Sequence, residues 1–225
     1  MKTLLISTAI ISLVGSAGSV SAQGLGQGLY GSAFLGYGLG DTVAEVSDGT
    51  DFLEYTFESE GGILFGATIG ATVAPNIRAE AEISFLSQSV DTLSLDSSDS
   101  GSGEIDVSDD DVSLTNTYYL ANVWYDIEGV AGGSGLNPYV GGGLGLASLD
   151  IDTGDSDDGF DEGTGFAYQL GAGVQIPVGA GAVDLGFRYK AVTDVVLIEN
   201  FLSSGFDLEG ESAVSSVQAA YVVMF

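Results

Sequence analysis

Eight times along the chain, about ten residues alternate between apolar and small or polar side chains, and each run ends in a turn or a long polar connection. A period of two sends successive side chains to opposite faces of a strand, so every run carries one oily face and one face of Gly, Thr, Ser or charge. Run three is the cleanest: Ile77, Ala79, Ala81, Ile83 and Phe85 alternate with Arg78, Glu80, Glu82 and Ser84. Runs of this length, with long connections at every second junction, predict an all-β fold, an eight-stranded antiparallel transmembrane β-barrel.

The charges are sorted in the same way. After Lys2 the only bases are Arg78, Arg188 and Lys190, each in the middle of a run and each on its polar face. Of the 32 acids, 27 fall in four segments, residues 41–60, 91–111, 150–162 and 194–211. With the N-terminus on the periplasmic side, strand parity puts all four segments at the outer end. The junctions at Pro75-Asn76, 128–137 and 177–182 then fall at the inner end. The expectation is short periplasmic turns and long acidic extracellular loops. Residues 97–111, acidic and rich in Ser and Gly, are expected to be disordered without a partner.

The remaining runs set apolar faces outward: the odd positions Leu29 to Leu39, Ile63 to Val73, Tyr119 to Tyr125, Phe166 to Ile176 on even positions, Val183 to Tyr189, and Ala213 to Phe225. Tyr30, Phe34, Tyr118 and Trp124 break the rule by facing inward, where the Trp124 N–H needs a partner. The threading places Tyr125, Tyr221 and Phe225 at the inner rim, and Phe65, Phe85, Phe166 and Tyr168 at the outer rim.

The first 22 residues have the form of an export signal: Lys2, a short apolar stretch from Leu4 to Val14, and Val20-Ser21-Ala22 before the expected cut. No run reaches the roughly 18 apolar residues of a membrane-spanning helix. Residues 23–225 form one barrel domain. Cys is absent, so apolar or membrane-embedded surface rather than disulfides has to supply stability. A net charge of −28 argues against nucleic acid as a partner and favours cations.

Runs three and seven are four apart in a ring of eight, so Arg78, Glu80 and Glu82 face Asp184, Arg188 and Lys190 across a lumen just wide enough for side chains to fill. They are expected to form a luminal ion-pair network. Its structural role rests on the cost of an unpaired buried charge, several kcal/mol in order of magnitude, in an interior expected to have no apolar core. The alternative role is a gate whose exchanging pairs pass small ions.

Several segments resemble the small outer-membrane β-barrel family that includes the membrane domain of OmpA, OmpX and the opacity-type porins and surface antigens. They are Arg78-Ala79-Glu80-Ala81-Glu82 after a Pro-Asn turn, the stretch from Pro138 to Gly145, the stretch from Phe166 to Gly173, Gly186-Phe187-Arg188-Tyr189-Lys190, and the terminal Tyr221-Val222-Val223-Met224-Phe225. The resemblance implies a Gram-negative outer-membrane protein in contact with lipid and lipopolysaccharide. It also implies that Tyr221, Val223 and Phe225 carry the C-terminal signal read by the barrel-assembly machinery. Unlike OmpA, the chain is expected to carry no periplasmic domain after the barrel, so the resemblance does not extend to peptidoglycan anchoring.

No cofactor and no catalysis are expected: His and Cys are absent and no base stands beside a hydroxyl in sequence, so nucleophilic catalysis lacks its usual activation. Asp150, Asp152, Asp155, Asp157 and Asp161 offer oxygens at alternate positions, which suits weak calcium binding, although the Gly positions depart from an EF-hand loop. A solvated acidic loop is the simpler account of the same residues. Two functions follow: a structural and surface-interaction barrel presenting acidic loops to divalent ions or other partners, or a narrow porin-like channel gated by luminal ion pairs.

Overall fold

The computed structural model describes residues 28–47, 53–89, 92–97, 101–106, 113–128, 135–152, 163–201 and 206–225. The signal segment 1–22 lies outside the described residues. Ten strands follow one another: β1 Leu29–Ser47, β2 Leu53–Ala74, β3 Ile77–Ser89, β4 Thr92–Ser97, β5 Gly101–Asp106, β6 Ser113–Asp126, β7 Asn137–Asp152, β8 Gly163–Val178, β9 Gly181–Phe201 and β10 Phe206–Met224. Each pairs antiparallel with its neighbours, and β1 pairs with both β2 and β10. The sheet therefore closes on itself through β1, β2, β3, β6, β7, β8, β9 and β10, an eight-stranded barrel. The last residue completes the seam, as the Phe225 amide donates to the Leu29 carbonyl at 2.9 Å.

Alternation sets the two faces. Ile63 is 57% exposed while its neighbour Leu64 is fully buried. The same contrast separates Leu35, Ile69, Leu144, Leu170 and Phe187, exposed on the outer wall, from Phe34, Leu86, Tyr118 and Arg188 inside. An outer wall this apolar is stable only against lipid, because tens of exposed aliphatic and aromatic side chains in water would drive association. Phe65 and Phe85 meet on adjacent strands with ring centroids 5.3 Å apart, and Tyr168 and Tyr189 lie 6.3 Å apart.

Two turns at the end where β1 begins and β10 finishes are tight. Pro75 fixes its own φ, and Asn76 takes a φ of 63°, the left-handed conformation that a type II turn needs at that position. The connection expected at 177–182 is shorter than that: β8 runs on to Val178 and β9 begins at Gly181, leaving two residues. Gly179 makes this feasible with a φ of 63°, a left-handed backbone conformation that costs glycine little although the space beside it is open.

At the opposite end the strands outrun the alternating runs. A tilted strand crosses a bilayer in roughly 9–11 residues, yet β2 has 22 and β9 has 21. Parts of the segments expected as loops are therefore strand. β4 continues the line of β3 against β2, with Glu58 opposite Thr92 and Leu53 opposite Ser97. β5 returns beside it, so Gly101–Asp106 is a strand where the sequence predicts disorder. The reason is that β2 templates β4 and β4 in turn templates β5, with backbone hydrogen bonds that outweigh a weak local β-propensity.

Candidate functional site

The polar face of run three and that of run seven do meet, in a belt midway along the lumen. β3 and β9 stand four strands apart, and Lys190, with 0% exposure, reaches across to donate to Glu82 Oε1. Its Nζ also donates to Ser84 Oγ at 2.7 Å and lies 4.7 Å from the centroid of the Tyr118 ring. Glu82 accepts from Ser84, Asn122 and Gln169, each at 2.8 Å, so both carboxylate oxygens are occupied. A buried ion pair is tolerable when every lone pair and proton has such a partner.

The other members of the predicted network pair differently. Arg78 does not reach run seven: its Nε donates to Asp126 at 3.0 Å and its Nη1 lies 3.2 Å from Glu80, a neighbour on its own strand. Glu80 also accepts from the Tyr30 hydroxyl at 2.6 Å and from the Trp124 N–H at 2.8 Å, which supplies the partner that the buried indole requires. Among the described residues no carboxylate lies within ion-pair distance of Arg188. Its Nη2 donates to the Tyr139 hydroxyl at 2.7 Å, its Nη1 to the carbonyls of Phe187 and Ala172, and its guanidinium lies 4.3 Å from the Trp124 ring centroid. Tyr139 in turn donates to Asp184 Oδ1 at 2.7 Å. Arg188 and Asp184 thus communicate through one phenol.

The two guanidinium groups flank Tyr139, at 4.9 Å for Arg78 and 5.3 Å for Arg188. Aromatic faces give an arginine partial compensation for lost water, which is how Arg188 can sit buried beside few oxygens. Space for this comes from the small faces of neighbouring strands. A methyl added at Gly171 would stand 2.6 Å from Arg188 Cδ, and one at Gly70 would stand 2.6 Å from the Tyr30 ring. Between Arg78, Glu80, Trp124, Asp184 and Arg188 remains a cavity of about 20 Å³, room for a single water.

Above the belt the lumen is largely aliphatic, with the buried polar Gln88, Asn116 and Ser212 among the hydrocarbon. Leu64, Leu86, Leu114, Leu149, Val192 and Val214 are all buried and point inward from six strands. This corrects the expectation of an interior without an apolar core. Those residues share inward parity with the charges, and only their height along the strands separates them. Asp126 and Tyr139 are the pairing partners that the sequence argument left out of its network. Parity alone places Asp126 inside, but which carboxylate Arg78 selects depends on strand stagger.

At the upper end of β7, Asp150 is exposed and Asp152 is the last strand residue. Asp155, Asp157 and Asp161 of the predicted calcium set lie outside the described residues. Tyr221 and Phe225 of the predicted assembly signal are exposed on the outer wall of β10, Phe225 at 68%, and Val223 between them is half-buried on the same face.

A closed, eight-stranded antiparallel ring with an apolar exterior and a packed polar belt defines an integral β-barrel of the bacterial outer membrane. The family described as "Outer membrane protein beta-barrel domain" matches residues 8–206, and the chain belongs to it. Among solved structures, the chain is similar to Neisserial surface protein A, at 18% identity over 88% of this chain and 98% of that one, with a TM-score of 0.52. It also aligns with the outer membrane protein OprG from Pseudomonas aeruginosa, at 12% identity over 87% and 96% of the two chains, TM-score 0.49. A third alignment, to the N-terminal β-barrel domain of OprF from the same organism, has 16% identity, covers 88% and 98%, and has a TM-score of 0.42. No curated protein matches by sequence.

If Lys190 and Glu82 are a coupled pair, Glu82→Gln alone strands a buried ammonium and should lower unfolding stability in detergent by about 3–5 kcal/mol. The double variant Glu82→Gln/Lys190→Met should recover about half of that loss or more. Strictly additive losses in urea titrations would show that the pair is not coupled.

Proposed function

We propose that the protein is a non-conducting outer-membrane barrel with a structural and surface-interaction role, presenting long acidic extensions outside the cell. The observation that carries this reading is the packed lumen: the layer from Leu64 to Val214 sits above an ion-paired belt in which one cavity of about 20 Å³ is found. Ion passage needs a continuous polar path, and an aliphatic layer of this kind repels water and ions alike. Orientation follows from the strand ends. The start of β1 and the finish of β10 share the end with the two tight turns, so the four acid-rich segments take the other end, the outer one in a barrel of this kind.

The partners that fit are lipid and lipopolysaccharide along the wall and divalent cations at the acidic end. Catalysis fits poorly. Among the described residues the hydroxyl beside an amine, Ser84 near Lys190, is sealed from any substrate with both groups fully buried.

A narrow channel is the second reading, and one feature favours it. Gln88, Asn116 and Tyr118 carry buried polar atoms with no protein partner among the described residues, and all three lie on the luminal face of β3 and β6 beside the apolar layer. Such atoms cost about 1–3 kcal/mol each unless water reaches them. Planar-bilayer recording separates the readings. The wild type, Arg188→Ala and Glu80→Ala are all expected to give no unitary current, and steps that change with either substitution would establish a gate.

The C-terminal strand has its own part in this proposal, with Tyr221, Val223 and Phe225 as the face offered to the barrel-assembly machinery. Removing Phe225 should cut the amount of heat-modifiable barrel in the outer membrane several-fold while the purified chain still refolds in detergent. Unchanged assembly in cells would leave these residues as lipid-facing side chains only.

A further inference from the structure

Strand register fixes heights as well as partners. A walk along paired residues from Ser87 passes Tyr37 on β1 and Ala172 on β8 and returns to β3 at Ile77, ten residues below its start. Eight strands share that slope, so from β3 through β6 to β9 each paired neighbour stands roughly 1.25 residues higher than the last. With the slope taken out, Ser87, Thr115, Ser148, Thr164 and Thr193 come within about two residues of one level, one each from β3, β6, β7, β8 and β9. All five have outward parity. Thr117, two residues below Thr115 on the same face, extends the patch.

Beneath these hydroxyls, by about three residues on the same reckoning, Phe85, Tyr119, Tyr168 and Tyr189 form an equally level aromatic row. The other three strands differ. At the hydroxyl level β10 carries Ala213, β2 carries Gly61, and on β1 Leu39 and Asp41 straddle it. The outer rim is therefore lined by hydroxyls along five consecutive strands and lacks them on the remaining three.

An aromatic girdle marks where hydrocarbon gives way to headgroups, so the hydroxyls just above it stand among headgroups. Their strands are about 4.8 Å apart, and each hydroxyl both donates and accepts. Phosphate is held best by guanidinium or ammonium groups, and none is offered here. The bases that follow Lys2 are Arg78, Arg188 and Lys190, all three buried in the lumen. Asp150, exposed two residues beyond Ser148 on the same face, repels a phosphate but accepts a hydrogen bond from a sugar hydroxyl. We propose that the hydroxyl arc from β3 to β9 docks the saccharide headgroup of a glycolipid, leaving the β10–β1–β2 side without that contact. This rests on the surface-interaction reading and names the chemistry of its lipid partner.

The test uses the whole barrel in detergent and two uncharged lipids with the same acyl chains, digalactosyl diacylglycerol and phosphatidylcholine. Native mass spectrometry should show the glycolipid bound about tenfold more tightly, the yield of roughly one net hydrogen bond or more. Combining Ser87→Ala, Thr115→Val, Thr117→Val and Thr164→Val, with heat-modifiable folding as the check, should remove most of that preference. A second arm leaves those hydroxyls in place. Phe166 on the arc and Leu39 off it stand at nearly the same height and are both 45% exposed. Benzoylphenylalanine in place of Phe166 should cross-link the glycolipid in nanodiscs several-fold more than the same group in place of Leu39. Equal affinity for the two lipids, equal cross-linking at the two positions, or a preference untouched by the combined variant overturns the proposal. So does binding of deep-rough lipopolysaccharide alone, abolished by EDTA, since that is cation bridging by the acids. Current through the barrel would strike the broader reading and leave the lipid preference standing, so the two failures are distinguishable.

Discussion

Inside a bilayer no water is available to a backbone amide, and that constraint shapes everything else in this molecule. Strands satisfy it only by forming a ring, which β1 completes by pairing with β2 on one side and β10 on the other. Once the ring is closed, alternation leaves each side chain one of two destinations, lipid or lumen. An eight-stranded lumen is narrow enough that its contents must pack, so three bases, four acids and several aromatics have to find one another there.

They do so unevenly. Glu82 and Lys190 form a bridge across the full width of the barrel, backed by Ser84, Asn122 and Gln169. Arg78 settles locally on Asp126 and Glu80, and Arg188 rests on aromatic faces and carbonyl oxygens. The lower lumen also holds a small apolar cluster of Tyr30, Ala182 and Val222, and the upper lumen a larger aliphatic layer. Ion pairs from the turn end to the middle, with an aliphatic layer above them, are an arrangement for holding the walls together.

Much of the fold was legible because a period of two survives any uncertainty in strand ends. Ile63 and Leu64, or Tyr119 and Tyr118, differ in fate by parity alone. What parity cannot supply is height. Leu86 and Glu82 share a face, yet one joins the aliphatic layer and the other the charged belt, and the partners of Arg78 were missed for the same reason. The rise of β4 and β5 beyond the membrane was hidden differently. Gly101–Asp106 has weak local β-propensity, and it becomes a strand only because β4, itself held by β2, stands beside it.

The absence of native Cys makes the central claim directly measurable, since single cysteines can be introduced along β9 and spin-labelled. Collision with oxygen, which dissolves in lipid, should peak at positions 185, 187 and 189 and fall at 184, 186 and 188. Such a two-residue period would place Arg188 within the lumen. A flat profile, a period near 3.6 residues, or a maximum at 188 would contradict a ring whose charged face is turned inward.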